Sequence, residues 1–160
     1  MAGKKLCLLD RDGVLNVDKA YLHKAEDVEW IPGSLEAIAW LKKQGILVAV
    51  VTNQSGVARG YFTEDTVRKL HAWMQAEMKK SGGEIAAFYY CPHLPGAAVK
   101  QYDFECKCRK PKPGMILQAL NCGCTSQVSL APGKRSRNTA TKGNVCNTSP
   151  SELIFMMRIL

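Results

Sequence analysis

Two constellations of residues in this 160-residue chain have types and spacings suited to chemistry. The first is Asp10 and Asp12, two apart, directly after the apolar run Lys5 to Leu9 and just before Gly13. Both carboxylates can reach the mouth of a strand that ends there, and the glycine lets the chain turn sharply. A helix-loop-helix calcium loop also uses such acids, but it needs glycine at its sixth position and glutamate at its twelfth. Counted from Asp10 those positions are Leu15 and Tyr21, so that use is excluded. The second constellation is Cys91-Pro-His93, then twelve residues, then Cys106-Lys-Cys108. Three thiolates and an imidazole make a closed tetrahedral set for a structural Zn²⁺, with no open position for substrate.

The elements that position these residues follow from periodicity and stop signals. Lys5 to Leu9 reads as a strand buried on both faces. Ser34 is expected to cap a helix with Leu35, Ile38, Ala39 and Leu41 on its inner face, Lys42 and Lys43 near its C-terminus, and Gly45 at its stop. Ile46 to Val51 is a second buried strand ending at Thr52 and Asn53. A helix from Thr63, through Val67, Leu70, Met74 and Met78 to Lys79 and Lys80, stops at Gly82-Gly83. Ile85 to Tyr90 is a third strand, and Cys91 opens a long loop that closes at Arg109 to Gly114 before a short helix, Met115 to Leu120. Strand, helix, strand at this length is a right-handed crossover, so the fold is an open α/β sheet with parallel strands. In such sheets ligands bind outside the carboxyl ends of the strands, where Asp10 and Thr52 should converge.

Composition bounds the rest. An apolar fraction of 46% over this length suits one globular domain. The longest apolar run, Ile46 to Val51, is too short to cross a bilayer, so we expect a soluble cytoplasmic monomer with no membrane partner. The net charge of +8 is split, because residues 1–120 hold seventeen Lys or Arg against thirteen acids and the last forty hold five against Glu152 alone. No basic stripe is interleaved with aromatics, which argues against nucleic acid and for an anionic small substrate. Cys7 is expected to be a core thiol, and Cys122 and Cys124 lack a second pair of ligands nearby. His23 and His71 have no evident catalytic neighbour along the chain.

Asp10 to Leu15, Val50 to Asn53, and Lys110 together resemble the first three motifs of the haloacid dehalogenase (HAD-like) superfamily of phosphatases. Within it, the zinc loop and Thr-Asn-Gln-Ser-Gly-Val-Ala-Arg-Gly, Thr52 to Gly60, are similar to the D-glycero-D-manno-heptose 1,7-bisphosphate phosphatase family. The related histidinol-phosphate phosphatases share the aspartates and zinc ligands. Their zinc loop is typically shorter, and Ala58 to Glu64 fits the heptose family better.

The resemblance implies an open three-layer Rossmann-like parallel sheet with a zinc-binding loop, residues 91–108, inside a phosphatase core of residues 1–120. It implies Asp10 as nucleophile, Asp12 as general acid and base, Thr52 as a hydrogen-bond donor and Lys110 as a fixed cation. A Mg²⁺ would be held by Asp10, the backbone carbonyl of Asp12 and a further acid. The zinc ligands are Cys91, His93, Cys106 and Cys108. Substrate contacts fall on Asp10, Arg11, Asp12, Asp18, Lys19, Ala20, Tyr21, Thr52, Asn53, Gln54, Ser55, Arg109 and Lys110. Arg109 suits a second phosphate, since its planar fork grips one bidentately.

The family continues after the Met115 helix with a fourth strand, ending in Gly-Asp and followed by a second Asp, which complete its Mg²⁺ site. Near position 135 this chain instead reads Gly133-Lys134-Arg135-Ser136-Arg137, and no aspartate follows Asp103. We therefore expect residues 121–160 to be an atypical tail from an altered reading frame or truncated gene. The C-terminal strands would then be missing, the Mg²⁺ site short of ligands, and the first strand an exposed apolar edge.

Overall fold

The computed structural model describes residues 5–121. The strand fragment expected at 128–130, Cys122 and Cys124, the basic stretch around Arg135, Glu152 and the apolar 153–160 lie outside the described residues. Three strands, β1 (Leu6–Leu9), β2 (Leu47–Asn53) and β3 (Ala87–Cys91), form one sheet in the order β1-β2-β3, every pair parallel. The helices are α1 (Ser34–Lys43), α2 (Glu64–Lys80) and α3 (Gly114–Asn121), with short 3-10 turns at Ala25–Asp27 and Lys100–Tyr102.

Side chains alternate across a strand, and here the two sets face two helical layers. Cys7, Leu9, Val48 and Val50 pack with Ile38 of α1 and Leu70, Met74 and Met78 of α2. Leu6, Leu8, Ala49, Val51 and Cys91 pack with Met115 and Ala119 of α3 on the opposite face. A sheet covered on both sides explains why β1 and β2 read as continuous apolar runs. Burial pushes the Cys7 thiol up to about 11, as expected of a core cysteine. Met74 is fully buried between α2 and the sheet, so Met74→Ala should cost about 2–5 kcal/mol in a urea melt.

Several boundaries differ from the expectation for local reasons. Thr52 and Asn53 pair with Tyr90 and Cys91, so they belong to β2 and do not lie beyond it. Ile85 precedes β3 because the Gln75 side chain takes both its backbone groups, accepting from its amide at 2.9 Å and donating to its carbonyl at 2.8 Å. Thr63 caps α2 as expected, its hydroxyl accepting from the Thr66 amide at 3.3 Å. Ser34 does not cap α1. Gly33, left-handed at φ 83°, makes the turn into that helix, and the Ser34 hydroxyl is buried without a hydrogen-bond partner among the described residues. β1 pairs only with β2 among the described residues, and an apolar groove of ≈ 390 Å³ lined by Leu9, Leu15, Ile38 and Trp40 opens near it.

Candidate functional site

Because β1 and β2 are parallel neighbours, Asp10 and Thr52 emerge on the same side of the sheet, where a pocket of ≈ 390 Å³ opens. Asp10 is one of its lining residues. One carboxylate oxygen accepts from the Arg11 amide at 2.8 Å and the other from Lys110 Nζ at 2.5 Å. The Lys110 side chain is only 6% exposed, so this ammonium is committed to the carboxylate and screened little by solvent. Asn53 clamps the Lys110 backbone from both ends, accepting from its amide at 3.0 Å and donating to its carbonyl at 3.3 Å.

Asp12 is held by a denser set of donors. Arg11 Nε and Nη2 donate to one oxygen at 3.1 and 3.0 Å, and Nη2 reaches the other at 3.0 Å. Asn16 Nδ2 donates at 3.0 Å and Gln54 Nε2 at 3.1 Å. Gln54 also donates to the Thr52 hydroxyl at 2.9 Å, so the acid and the hydroxyl share one frame. Asp18, Ala20 and Tyr21 also line the pocket, together with Asn53, Gln54, Ser55 and Gly56.

Three expected contact residues stand off this wall. The Arg11 side chain, 1% exposed, turns inward to Asp12, the Leu22 carbonyl at 3.0 Å and His71, so only its backbone faces Asp10. Lys19 pairs with Glu29 at 3.1 Å. Arg109 donates from Nη1 to the His93 carbonyl at 3.2 Å and is not among the lining residues.

His71 is a participant that sequence reasoning missed. Its Nε2 lies 3.3 Å from Arg11 Nη1, and its ring stacks on Phe88 at 4.6 Å. Burial and then the Arg11 charge push it down to about 3, so the ring is neutral and Nε2 accepts while Nδ1 carries the proton. Sixty residues separate His71 from Arg11, and no local pattern announces the contact. A histidine held neutral in the fold and free to charge when unfolded contributes stability that is present above about 6.5 and lost as pH falls toward about 3. His71→Phe should keep the stack and flatten that part of a stability-versus-pH curve measured by urea melts.

The zinc set also forms. Ligand atoms of Cys91, His93, Cys106 and Cys108 all lie within 4.8 Å of one another, and no other such group occurs among the described residues. The sulfurs are 3.2 to 3.4 Å apart, and His93 Nδ1 is 3.6 and 3.3 Å from Cys91 and Cys108. Tetrahedral Zn–S bonds of about 2.3 Å separate sulfurs by roughly 3.8 Å, so a modest outward movement admits the ion. Burial pushes the Cys91 and Cys108 thiols up. It acts on Cys106 too, but hydrogen bonds from Cys108, the Arg109 amide and Cys91 bring that thiol below its usual range. The Arg109 amide donates to Cys106 Sγ at 3.3 Å, which ties the metal loop directly to the residue before Lys110. Glu64 at the start of α2 fastens the loop from another side, accepting from Tyr90 at 2.6 Å and Tyr102 at 2.8 Å. The Tyr90 hydroxyl is the main reason its carboxyl is held below the usual range.

Comparison with known proteins agrees with this arrangement. A family model described as polynucleotide kinase 3 phosphatase matches residues 5–132. The D-glycero-beta-D-manno-heptose-1,7-bisphosphate 7-phosphatase of Pasteurella multocida (strain Pm70) is 48% identical over 117 residues, covering 73% of this chain and 63% of that protein. That of Escherichia coli (strain K12) is 46% identical over 111 residues, covering 69% and 58%. Among solved structures, D,D-heptose 1,7-bisphosphate phosphatase from B. bronchiseptica, complexed with magnesium and phosphate, superposes with a TM-score of 0.63 at 40% identity. That match covers 72% of this chain and 61% of the other. A putative HAD-like phosphatase from Mesorhizobium loti gives 0.66 at 34% identity, covering 72% and 55%. The chain spans about three fifths of the length of the curated relatives it matches. On the matched motifs, the sheet and the metal-ligand cluster, the chain belongs to the family described as polynucleotide kinase 3 phosphatase, and over the matched part it is similar to the D,D-heptose 1,7-bisphosphate phosphatases.

Proposed function

We propose that this chain hydrolyses the C7 phosphate of D-glycero-D-manno-heptose 1,7-bisphosphate through an aspartyl-phosphate on Asp10. The observation that carries this reading is the contact of Asp10 with Lys110 in a pocket that Thr52 and Asp12 also line. A carboxylate oxygen of Asp10 attacks phosphorus while the bond to the C7 oxygen breaks and Asp12 donates a proton to that oxygen. Asp12 then takes a proton from water as the water attacks the phosphoenzyme, releasing orthophosphate and freeing Asp10. Lys110 and the Thr52 hydroxyl supply charge and a hydrogen bond to the phosphoryl oxygens. Four zinc ligands brace the loop that delivers Lys110. In this reading the protein acts as a cytoplasmic monomer on a free sugar bisphosphate.

The carboxylate of Asp10 and the backbone carbonyl of Asp12 offer hard oxygen ligands, and Mg²⁺ is commonly bound by one or two carboxylates together with substrate phosphate. When bound, the ion would reduce the repulsion between the carboxylate and the phosphate. A second reading, a protein that binds phosphosugar without turnover, is favoured by one observation: no aspartate follows Asp103 to complete that ligand set. Phosphorus NMR of the bisphosphate with purified protein tests the proposal. The C7 resonance should give way to orthophosphate while the C1 phosphate persists, and loss of the C1 phosphate first would overturn the assignment.

A further inference from the structure

The Asp12 carboxylate belongs to a frame that reaches from the pocket into the core. The Arg11 guanidinium, 1% exposed, turns one edge to it, with Nε and Nη2 on Oδ1 at 3.1 and 3.0 Å and Nη2 on Oδ2 at 3.0 Å. A contact between chain neighbours does not by itself fix either one, because the two side chains can turn together. The far side of the guanidinium pins this pair: Nη2 donates to the Leu22 carbonyl at 3.0 Å, and Nη1 lies 3.3 Å from His71 Nε2.

His71 is held in turn by the sheet. It is buried on α2 together with Leu70 and Met74. Phe88 and Tyr90, two apart on β3 and so on one face of it, both meet its ring. The first is stacked with centroids 4.6 Å apart, and the second stands edge-on at 5.9 Å. A neutral imidazole protonated at Nδ1 offers Nε2 as an acceptor. It takes the Arg11 N–H without placing a second positive charge beside the guanidinium.

This anchor decides where the Arg11 fork points. A guanidinium edge matches a phosphate as well as a carboxylate, so an unanchored Arg11 beside the pocket could leave Asp12 for a phosphoryl oxygen. With Nη1 held at His71, the fork stays on Asp12, which lines the pocket. Phe88, His71, Arg11 and Asp12 thus form a continuous chain of contacts from the third strand to the site.

We infer that His71, acting through Arg11, is a positioning residue that fixes the direction in which the Asp12 carboxyl delivers its proton to the leaving oxygen. The inference rests on the phosphatase mechanism proposed above and gives His71 no contact with substrate. Proton transfer requires the acid within hydrogen-bond reach of that oxygen, so a carboxyl free to swing loses much of its effect.

The leaving group separates this role from a merely structural one. Breaking the bond to an alkyl oxygen such as that on C7 calls for the proton from Asp12, whereas p-nitrophenolate leaves p-nitrophenyl phosphate as a stable anion without one. Phosphate release from both substrates by the full chain is measured as kcat/KM in wild type, His71→Phe, His71→Gln and Arg11→Lys, all at one Mg²⁺ concentration. His71→Phe keeps a ring against Phe88 and removes the acceptor. Its ratio of heptose 1,7-bisphosphate to p-nitrophenyl phosphate should fall about tenfold, within the roughly 10²–10⁴-fold that a positioned acid supplies. His71→Gln should restore most of the ratio, since its amide oxygen can accept where Nε2 does. Arg11→Lys has a single ammonium that cannot serve Asp12 and His71 together, so its ratio should fall too, and it replaces His71→Phe should that variant not fold. Urea midpoints show which variants are folded. Equal losses on the two substrates in the folded variants, or a folded His71→Gln no better than His71→Phe, would overturn the inference. Wild type that leaves the heptose bisphosphate intact would instead reject the proposed function.

Discussion

Asp10→Asn is expected to lower phosphate release by at least about 10⁴-fold, the scale seen when a covalent nucleophile is removed. An amide oxygen is a poor nucleophile and yields no phosphoenzyme. The fold should survive, because the asparagine oxygen can still accept from Lys110 Nζ, at the cost of the bond that the Arg11 amide gives the other carboxylate oxygen of Asp10. That retained acceptor matters, since a buried ammonium left without a partner costs about 3–5 kcal/mol. Lys110→Met provides the contrast: it removes the cation, leaves Asp10 accepting from the Arg11 amide, and should weaken orthophosphate binding as well as turnover. Phosphate release by each purified variant, beside its urea midpoint, checks both effects. Near-normal release by Asp10→Asn would refute the nucleophile assignment.

Removing the metal from the cysteine cluster should unfold the loop from Cys91 to Lys110 and abolish phosphate binding. Structural zinc sites contribute about 10–16 kcal/mol of apparent binding free energy, much of which is folding free energy. The loop's other anchors are scattered hydrogen bonds, among them those of Glu64 to Tyr90 and Tyr102, the Val99 amide to the Ala58 carbonyl, Arg109 to the His93 carbonyl and the Asn53 clamp on Lys110. Cys106→Ala removes both a ligand and the acceptor of the Arg109 amide, so the segment that aims Lys110 loses its nearest brace. Elemental analysis should find one zinc per chain, and the variant should release it and lose orthophosphate affinity in titration calorimetry. Zinc-free protein from a chelator-free preparation, still binding orthophosphate, would contradict the assignment.

The parts of this site that could be read from sequence are those in which chemistry and local order coincide. Asp10, Asp12 and Gly13 adjoin a buried strand, and the spacing of Cys91, His93, Cys106 and Cys108 speaks for itself. The heptad-like run from Val67 to Met78 gave α2 because its apolar residues share one face, all buried. What escaped depends on contacts between segments far apart in the chain. Arg11 resembled a substrate contact by its neighbours, but its side chain meets His71 from the middle of α2, and only the folded sheet puts them together. Ser34 resembled a cap because serine commonly is one, yet a left-handed Gly33 made the turn without it. The Arg59 guanidinium over the Tyr21 ring likewise joins two segments far apart in the chain.

In the proposed function phosphate binding draws on Asn53, Lys110 and Thr52, all among the described residues, whereas the further Mg²⁺ acids that the resemblance implies are replaced in the sequence by Gly133 to Arg137, a stretch that adds positive charge. Fewer carboxylates and more like charge both weaken a hard-cation site. A phosphate-handling site contained in residues 10–110, with a weakened Mg²⁺ site at its edge, is tested most sharply by one paired measurement. Hydrolysis of heptose 1,7-bisphosphate is followed across a Mg²⁺ titration, with calorimetric binding of the bisphosphate at each concentration. Binding is expected at every Mg²⁺ level, with turnover only at concentrations well above those that saturate the Escherichia coli relative; absence of binding at all concentrations would contradict the proposed site.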